Sequence, residues 1–342
     1  MARKQTEEIR PPIAVPHDLQ PMEMQVAKEI PAGIHWLYEP KWDGFRCIAF
    51  RDGDKVDLRS KNGQEFSRYF PEVVAALLQL EAEYFVLDGE LMVWGKNGPS
   101  FDELLQRIHP ASSRVLKLSK DTPAKYVVFD LLADNDGHRL LEKNLSDRRA
   151  RLESFAKKYL GSTNDIALSP ATRKINEARQ WFESHGVELD GIIAKRLDMP
   201  YQSGNRKGAV KVKRIRTAEC VIGGFRYGVN SKYIASLLLG LYDRYGQLHH
   251  VGFTSAFSGE ERIRLTEEIQ KLKTNHSFDV NVPGGPSRWS QGKENEWTPV
   301  KPVLVVEVQY DHFTDGRFRH GTKILRWRVD KPPRACTFDQ LS

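Results

Sequence analysis

Glu39-Pro40-Lys41-Trp42-Asp43-Gly44-Phe45-Arg46 reads as a tight turn in which one lysine is crowded by a carboxylate, a glycine and an arginine. An amine attacks phosphorus only in its neutral form, which a nearby cation or a dry pocket favours. Arg46 is the cation expected to play that part beside Lys41, and Asp43 completes a K-x-D-G pattern. So short a pattern recurs by chance, and alone it reads equally well as a solvated surface lysine. The rest of the chain has to decide between the two.

Downstream, Arg59-Ser60-Lys61-Asn62-Gly63 is a polar hairpin turn. Asp88-Gly89-Glu90 interrupts the apolar run Tyr84–Val93, where alternation puts Asp88 and Glu90 on one side. Two such carboxylates suit a hydroxyl or a metal, or simply a solvated sheet face. The run from Tyr126 to Leu132 reads by itself as buried core, Phe129 included. Asp190-Gly191-Ile192-Ile193-Ala194-Lys195 opens another strand pattern. Ala209-Val210-Lys211-Val212-Lys213 alternates apolar with basic, so both lysines share a face that suits a phosphate or protects a strand edge. Arg206, Lys207, Arg214 and Arg216 make this junction strongly basic, a natural contact for nucleic-acid phosphates. Near the end, Arg317, Arg319, His320 and Lys323 precede Arg326-Trp327-Arg328-Val329-Asp330-Lys331. Neither the G-x-x-x-x-G-K-[ST] loop nor the G-x-G-x-x-G turn occurs, so a bound nucleotide needs another cradle.

Taken in order, these segments resemble the six motifs of the covalent nucleotidyltransferases, the superfamily of DNA ligases, RNA ligases and capping enzymes, over nearly the whole chain. Within it, the Glu39-x-Lys41 start, the Lys211-Val212-Lys213 strand and the Arg326–Lys331 ending resemble bacterial ATP-dependent DNA ligases. The segments Thr217–Arg226 and Val305–His312 are similar to the stand-alone ligase C type of actinobacteria. The resemblance implies that Lys41 carries AMP from ATP as a covalent lysyl-AMP and passes it to a nick bearing 5′-phosphate and 3′-hydroxyl ends. It implies that Glu39 recognises adenine, Phe129 stacks on it, and Glu90 contacts the ribose. Lys195 belongs to the same nucleotide site, and Lys211 and Lys213 hold the α-phosphate. Asp190, where glutamate is usual, joins Glu90 in binding Mg2+ or Mn2+, with Glu188 as a fallback. Arg326, Arg328 and Lys331 orient the leaving pyrophosphate. Arg59, Lys61 (where arginine is usual), Arg206, Lys207, Arg214 and Arg216 contact DNA. The implied partner is nicked double-stranded DNA, with a repair polymerase added by analogy. An RNA ligase, a capping guanylyltransferase and a non-catalytic OB-fold nucleic-acid binder are the alternatives.

The surrounding texture agrees with two domains in 342 residues. Strands and helices mix without regular alternation, which predicts an α+β adenylation domain over residues 1–216, built on antiparallel sheets with flanking helices. Helices are expected at Pro71–Glu81, at Asp147–Leu160 behind Ser146, and at Asn176–Ser184 stopped by Gly186. Residues 1–38 read as a proline-punctuated lead-in. Over 217–342, four strand patterns and one helix with Ser258 and Glu261 in capping-box spacing predict a β-barrel OB-fold. Lys and Arg number 52 against 45 Asp and Glu, a net +7 that favours a polyanion where it clusters. Three separated cysteines offer no zinc or disulfide framework. No apolar stretch is long enough to span a bilayer, and the N-terminus lacks a secretory core. A cytoplasmic, nucleoid-associated monomer is expected.

Overall fold

The computed structural model describes residues 15–95, 98–161, 163–183, 189–214, 216–255, 257–283 and 296–341. It divides into two compact units, Met1–Arg214 and Ile215–Ser342. No helix is long and apolar enough to cross a membrane among the described residues.

The first unit carries β1 (Gln25–Ala27), β2 (Trp36–Pro40), β3 (Phe45–Asp52), β4 (Lys55–Ser60), β5 (Tyr84–Gly95), β6 (Gly98–Pro99), β7 (Ala124–Ala133), β8 (Ile166–Leu168), β9 (Gly191–Arg196) and β10 (Ala209–Lys213). One sheet runs β1-β10-β9-β2. The other runs β4-β3-β5-β7-β8, with β6 on β5. The long ladders are antiparallel as expected, whereas β1–β10 and β7–β8 are parallel. The near-continuous apolar reading of β5 and β7 follows from cover on both faces, which leaves neither face free to be polar. Phe85, Leu87, Leu91, Tyr126 and Val128 pack on one side, Ile48, Phe50, Val86 and Leu132 on the other.

Among the described residues, five helices flank these sheets: α1 (Pro71–Leu78), α2 (Phe101–Gln106), α3 (Ser112–Asp121), α4 (Leu145–Tyr159) and α5 (Ile175–Glu183). α1 stops three residues short of the predicted Glu81. α4 starts before the predicted Ser146, and Asn144 occupies the cap position. Gly186, the expected stop of α5, and Glu188 lie outside the described residues. β1 and β2 emerge from the segment read as a lead-in, because Leu37 and Tyr38 are buried against the rest of the fold.

The second unit holds β11 (Arg216–Tyr227), β12 (Ile234–Tyr242), β13 (Leu248–Thr254), α6 (Gly259–Gln270), β14 (Thr298–Pro299), β15 (Val305–Tyr310), β16 (Phe313–Thr314), β17 (Arg317–Phe318) and β18 (Lys323–Trp327). Its main sheet follows β13-β12-β11-β15-β18, with β14 on β11, around a core that includes Val221, Leu237, Val251, Phe278 and Val306. The Ser258–Glu261 capping box forms as the spacing predicts. The expected barrel is not closed by a ladder among the described residues. Among the described residues the end of β13 meets the residue before β18 in the Thr254–Thr322 bridge, where the Thr254 hydroxyl donates to the Thr322 carbonyl at 2.8 Å and the Thr322 N–H donates to the Phe253 carbonyl at 3.0 Å.

Candidate active site

β2 delivers Lys41. Its register with β9 pairs Pro40 with Ile192, and the Lys41 N–H then donates to the Gly191 carbonyl at 2.9 Å. Because Asp190 immediately precedes β9, the same ladder sets it beside the lysine, and Lys41 Nζ donates to Asp190 Oδ2. Lys41 lines a cavity of about 570 Å³, the size that suits a nucleotide-scale ligand, and Asp190 is buried beside it. Both sheets of the first unit wall it. Glu39, Lys195 and Lys211 come from one, and Arg46, Glu90 and Phe129 from the other.

The expectation that Arg46 activates Lys41 is corrected by its geometry. Its Nε and Nη2 both donate at 2.6 Å to the fully buried Asp88, whose Oδ2 also accepts from the Tyr201 hydroxyl at 2.6 Å. Arg46 is thus neutralised by a bidentate carboxylate and lies over the Phe129 ring, 4.4 Å from its centroid. The cation that crowds the turn is Lys211. Burial, and next the Lys41 charge, hold its ammonium below the ordinary lysine range. Lys213 lies two residues along the same strand but is exposed and does not line the cavity.

Asp88 and Glu90 do share a side, yet they differ in use, since Asp88 is sealed under Arg46 while Glu90 reaches the cavity. Burial pushes the Glu90 carboxyl up to about 7, against the pull of Arg46 and Lys41 and with the help of Asp88 and Asp43. Asp43 and Asp190 bring carboxylate oxygens within 4.8 Å of each other, and carboxylates so placed fit a divalent cation, which would offset their mutual repulsion.

Phe129 reaches the cavity because β7 is bulged there. Asp88 pairs with Asp130 and Gly89 with Val128, which leaves Phe129 as the extra residue. Lys195 Nζ also lies 4.4 Å from the ring centroid. Glu39 is buried, its Oε2 lies 2.7 Å from Lys195 Nζ, and its Oε1 has no hydrogen-bond partner. A buried acceptor left open in a cavity wall marks a place for a ligand donor. Two neighbours escaped the sequence reading. Arg149 on α4 places Nη1 3.6 Å from Glu39 Oε1. Glu23 binds both Lys61 (3.0 Å) and Arg206 (2.8 Å) at the cavity rim, which lowers its carboxyl to about 2.

The remaining candidates lie elsewhere. Arg59 binds Asp57 and is not part of the cavity wall, and Lys207 is exposed. The Arg214 N–H donates to the Asp190 carbonyl. Arg216, expected at the end of the first domain, opens β11 in the second unit and donates to the Asp311 carbonyl. Arg326, Arg328 and Lys331 are also in the second unit, all ion-paired there.

Residues 19–213 match the family described as ATP dependent DNA ligase domain, and residues 230–331 match ATP dependent DNA ligase C terminal region. The chain belongs to the ATP-dependent DNA ligases. It is 41% identical to DNA ligase C1 of Mycolicibacterium smegmatis over 97% of this chain and 94% of that one. Against DNA ligase C of Mycobacterium tuberculosis the identity is 44%, over 89% and 88% of the two chains. A solved Lig E DNA ligase shares the fold, with TM-score 0.52 and 17% identity, covering 90% of this ligase and 99% of that chain. As an ATP-dependent ligase, the chain joins DNA through a lysyl-AMP intermediate, and the cavity just described brings Lys41 together with Lys61, Lys195, Arg206 and Lys211.

Proposed function

We propose that Lys41 is the residue adenylated, and that the ligase seals nicks with 5′-phosphate and 3′-hydroxyl ends in double-stranded DNA during repair. The observation that carries this reading is the cavity itself, where Lys41 Nζ sits beside Asp190 with Lys211 next to it. In the first step the Lys41 nitrogen bonds the α-phosphorus of ATP as the bond to the bridging oxygen breaks, and pyrophosphate leaves with that electron pair. AMP then passes to the 5′-phosphate and frees the amine. Last, the 3′-hydroxyl displaces AMP and closes the strand. Each transfer rests on in-line placement and charge neutralisation more than on acid–base work.

Asp190 Oδ2 orients the amine through its hydrogen bond. Glu39 Oε1 is the acceptor for the adenine amino group, Phe129 the ring beneath the base, and Glu90 the ribose contact. Lys195 and Lys211 gather the phosphates from the cavity wall and Lys213 from the exposed end of the same strand as Lys211, Arg46 holds the Phe129 platform, and Asp43 fixes the turn. Asp190 and Glu90 would hold Mg2+ or Mn2+, which would supply further neutralisation of phosphate charge. Arg326, Arg328 and Lys331 orient pyrophosphate. Arg59, Lys61, Arg206, Lys207, Arg214 and Arg216 contact the DNA backbone, and the protein works as a nucleoid-associated monomer, alongside a repair polymerase.

The reading is tested by sealing of a nicked duplex with ATP or GTP as the only nucleotide. ATP-dependent sealing supports it. Lysine labelling by GTP without sealing would favour a capping-type enzyme. Lys211→Met is expected to slow lysine adenylation by about 10²-fold or more, measured in a single turnover, because it removes a cation from the phosphate pocket.

A second expectation concerns pH. A carboxyl raised from 4.5 to about 7 in the fold binds its proton more tightly folded than unfolded. Its contribution to stability is therefore full below pH 4.5, falls as pH rises toward 7, and above that the buried charge opposes folding. Glu90→Gln should stabilise the nucleotide-free protein in chelator at pH 8 by up to about 3 kcal/mol, with the gain shrinking at pH 5. Denaturant midpoints at the two pH values measure it, and an equal gain at both would contradict the assignment.

A further inference from the structure

The three cations near the C-terminus are not free side chains. In the antiparallel pair β11–β15, Glu219 stands directly opposite Glu307. Two carboxylates so placed repel each other unless cations sit between them. Arg328 donates to Glu219 Oε1, Lys331 Nζ lies 2.6 Å from Glu219 Oε2, and Arg326 Nε lies 2.6 Å from Glu307 Oε2. Arg328 Nη1 also reaches within 3.9 Å of Glu307, and its Nε and Nη2 are held by Asp330 at 2.9 and 2.8 Å.

The backbone beneath is fixed as well. Gln340 clamps Glu219 on its unpaired side, because its Oε1 accepts from the Glu219 N–H at 2.7 Å and its Nε2 donates to the Glu219 carbonyl at 3.0 Å. A further bond from Gln340 Nε2 to the Thr337 carbonyl ties this clamp to the last turn of the described chain. The pair is partly buried, with side-chain exposures of 18% for Glu219 and 16% for Glu307, so salt screens these contacts less than it would on an open surface. Val329, between Arg328 and Asp330, is fully exposed. The segment is therefore held by its ion pairs together with the Arg328 N–H, which donates to the Val305 carbonyl at 2.9 Å, and not by apolar packing of that residue.

We infer that Glu219 and Glu307 are positioning residues for lysine adenylation, a cross-strand carboxylate pair that sets Arg326, Arg328 and Lys331 in one fixed array for the pyrophosphate of ATP. The inference rests on the reading that these cations act on pyrophosphate. Glu219 carries the greater part, since it binds Arg328 and Lys331 directly, whereas Glu307 binds Arg326 and meets Arg328 only at 3.9 Å. Gln340 acts through it, by fixing the strand from which it projects. Loss of the carboxylate leaves the charges present but unplaced, which harms a step that depends on aligned donors.

The test compares Glu219→Gln, Glu307→Gln and Arg328→Ala in the full chain. Two activities are followed: formation of protein-bound AMP from ATP, and closure of a nick that already carries 5′-adenylate. Thermal unfolding is followed in parallel. Glu219→Gln is expected to slow adenylation by about tenfold or more, through kcat more than through the KM for ATP, with Glu307→Gln weaker. Closure of the adenylated nick should stay within about twofold of the parent, and Glu219→Asp should recover part of the loss. Equal losses in both activities, tracking lower thermal stability, would reduce the pair to a structural role and overturn the inference. Faster adenylation in Glu219→Gln would also overturn it, by making Glu219 a competitor for the cations. If Arg328→Ala itself leaves adenylation intact, the underlying reading of the cations fails instead.

Discussion

Lys41→Ala is expected to abolish protein-bound AMP and to lower ATP-driven nick sealing by about 10⁴-fold or more, the scale on which removing a covalent nucleophile acts. Stability should change little. Lys41 is partly exposed at the cavity wall, and although its partner Asp190 is buried, the space left by the truncated lysine side chain admits water in place of the ammonium. The variant should still close a nick that already carries 5′-adenylate, because that step uses the DNA 3′-hydroxyl and not the lysine. Two assays on one preparation therefore separate loss of the nucleophile from loss of the fold. Sealing of the ordinary nick at more than about a hundredth of the parent rate would contradict the assignment.

The second large effect is expected from a residue with no side chain. Gly191 has φ +151, and a Cβ there would lie 2.0 Å from the Val212 carbonyl oxygen and 3.0 Å from the Lys213 Cα. Both obstacles are backbone of β10, so relief requires that β9 and β10 part. The Gly191 carbonyl is also the acceptor for the Lys41 N–H, and the strand that would move begins next to Asp190. Gly191→Ala should therefore cost about 4 kcal/mol or more of stability, at the upper end for single substitutions, and slow adenylation by about 10²-fold at temperatures where the protein remains folded. Urea denaturation and single-turnover adenylation measure the two. A loss below about 1 kcal/mol would mean that the two strands do not approach as closely as described.

Much of the site was legible because its chemistry needs particular residue types. A lysine in a tight turn, two carboxylates on one strand side and alternate lysines on another are each visible as local patterns. The long strands of both units, and the capping box of α6, follow equally from periodicity and spacing. Contacts made across distant ladders were not visible. The pairing of Lys41 with Asp190 joins residues 149 apart and exists only because β2 lies beside β9. Arg46 looked like the activator of Lys41 because it is close in sequence. The β3–β5 register instead sets it opposite Glu90, and its guanidinium reaches along the strand to Asp88, two residues away on the same side. Phe129 could not be separated from core by alternation, because a bulge breaks alternation at that residue. Glu23 was hidden in a segment whose prolines read as lead-in, although Glu23 holds Lys61 and Arg206 at the cavity rim. The Glu219–Glu307 pair was hidden for the same reason as Lys41 with Asp190, since only strand register sets the two opposite each other.

The most direct measurement is to incubate the full chain with radiolabelled ATP and a divalent cation, digest it, and map the labelled peptide. One AMP per chain, released by pyrophosphate and located on Lys41 in the peptide containing Trp42-Asp43-Gly44, is the predicted result. AMP on Lys195, Lys211 or any other lysine, or labelling that persists in Lys41→Ala, would contradict the account.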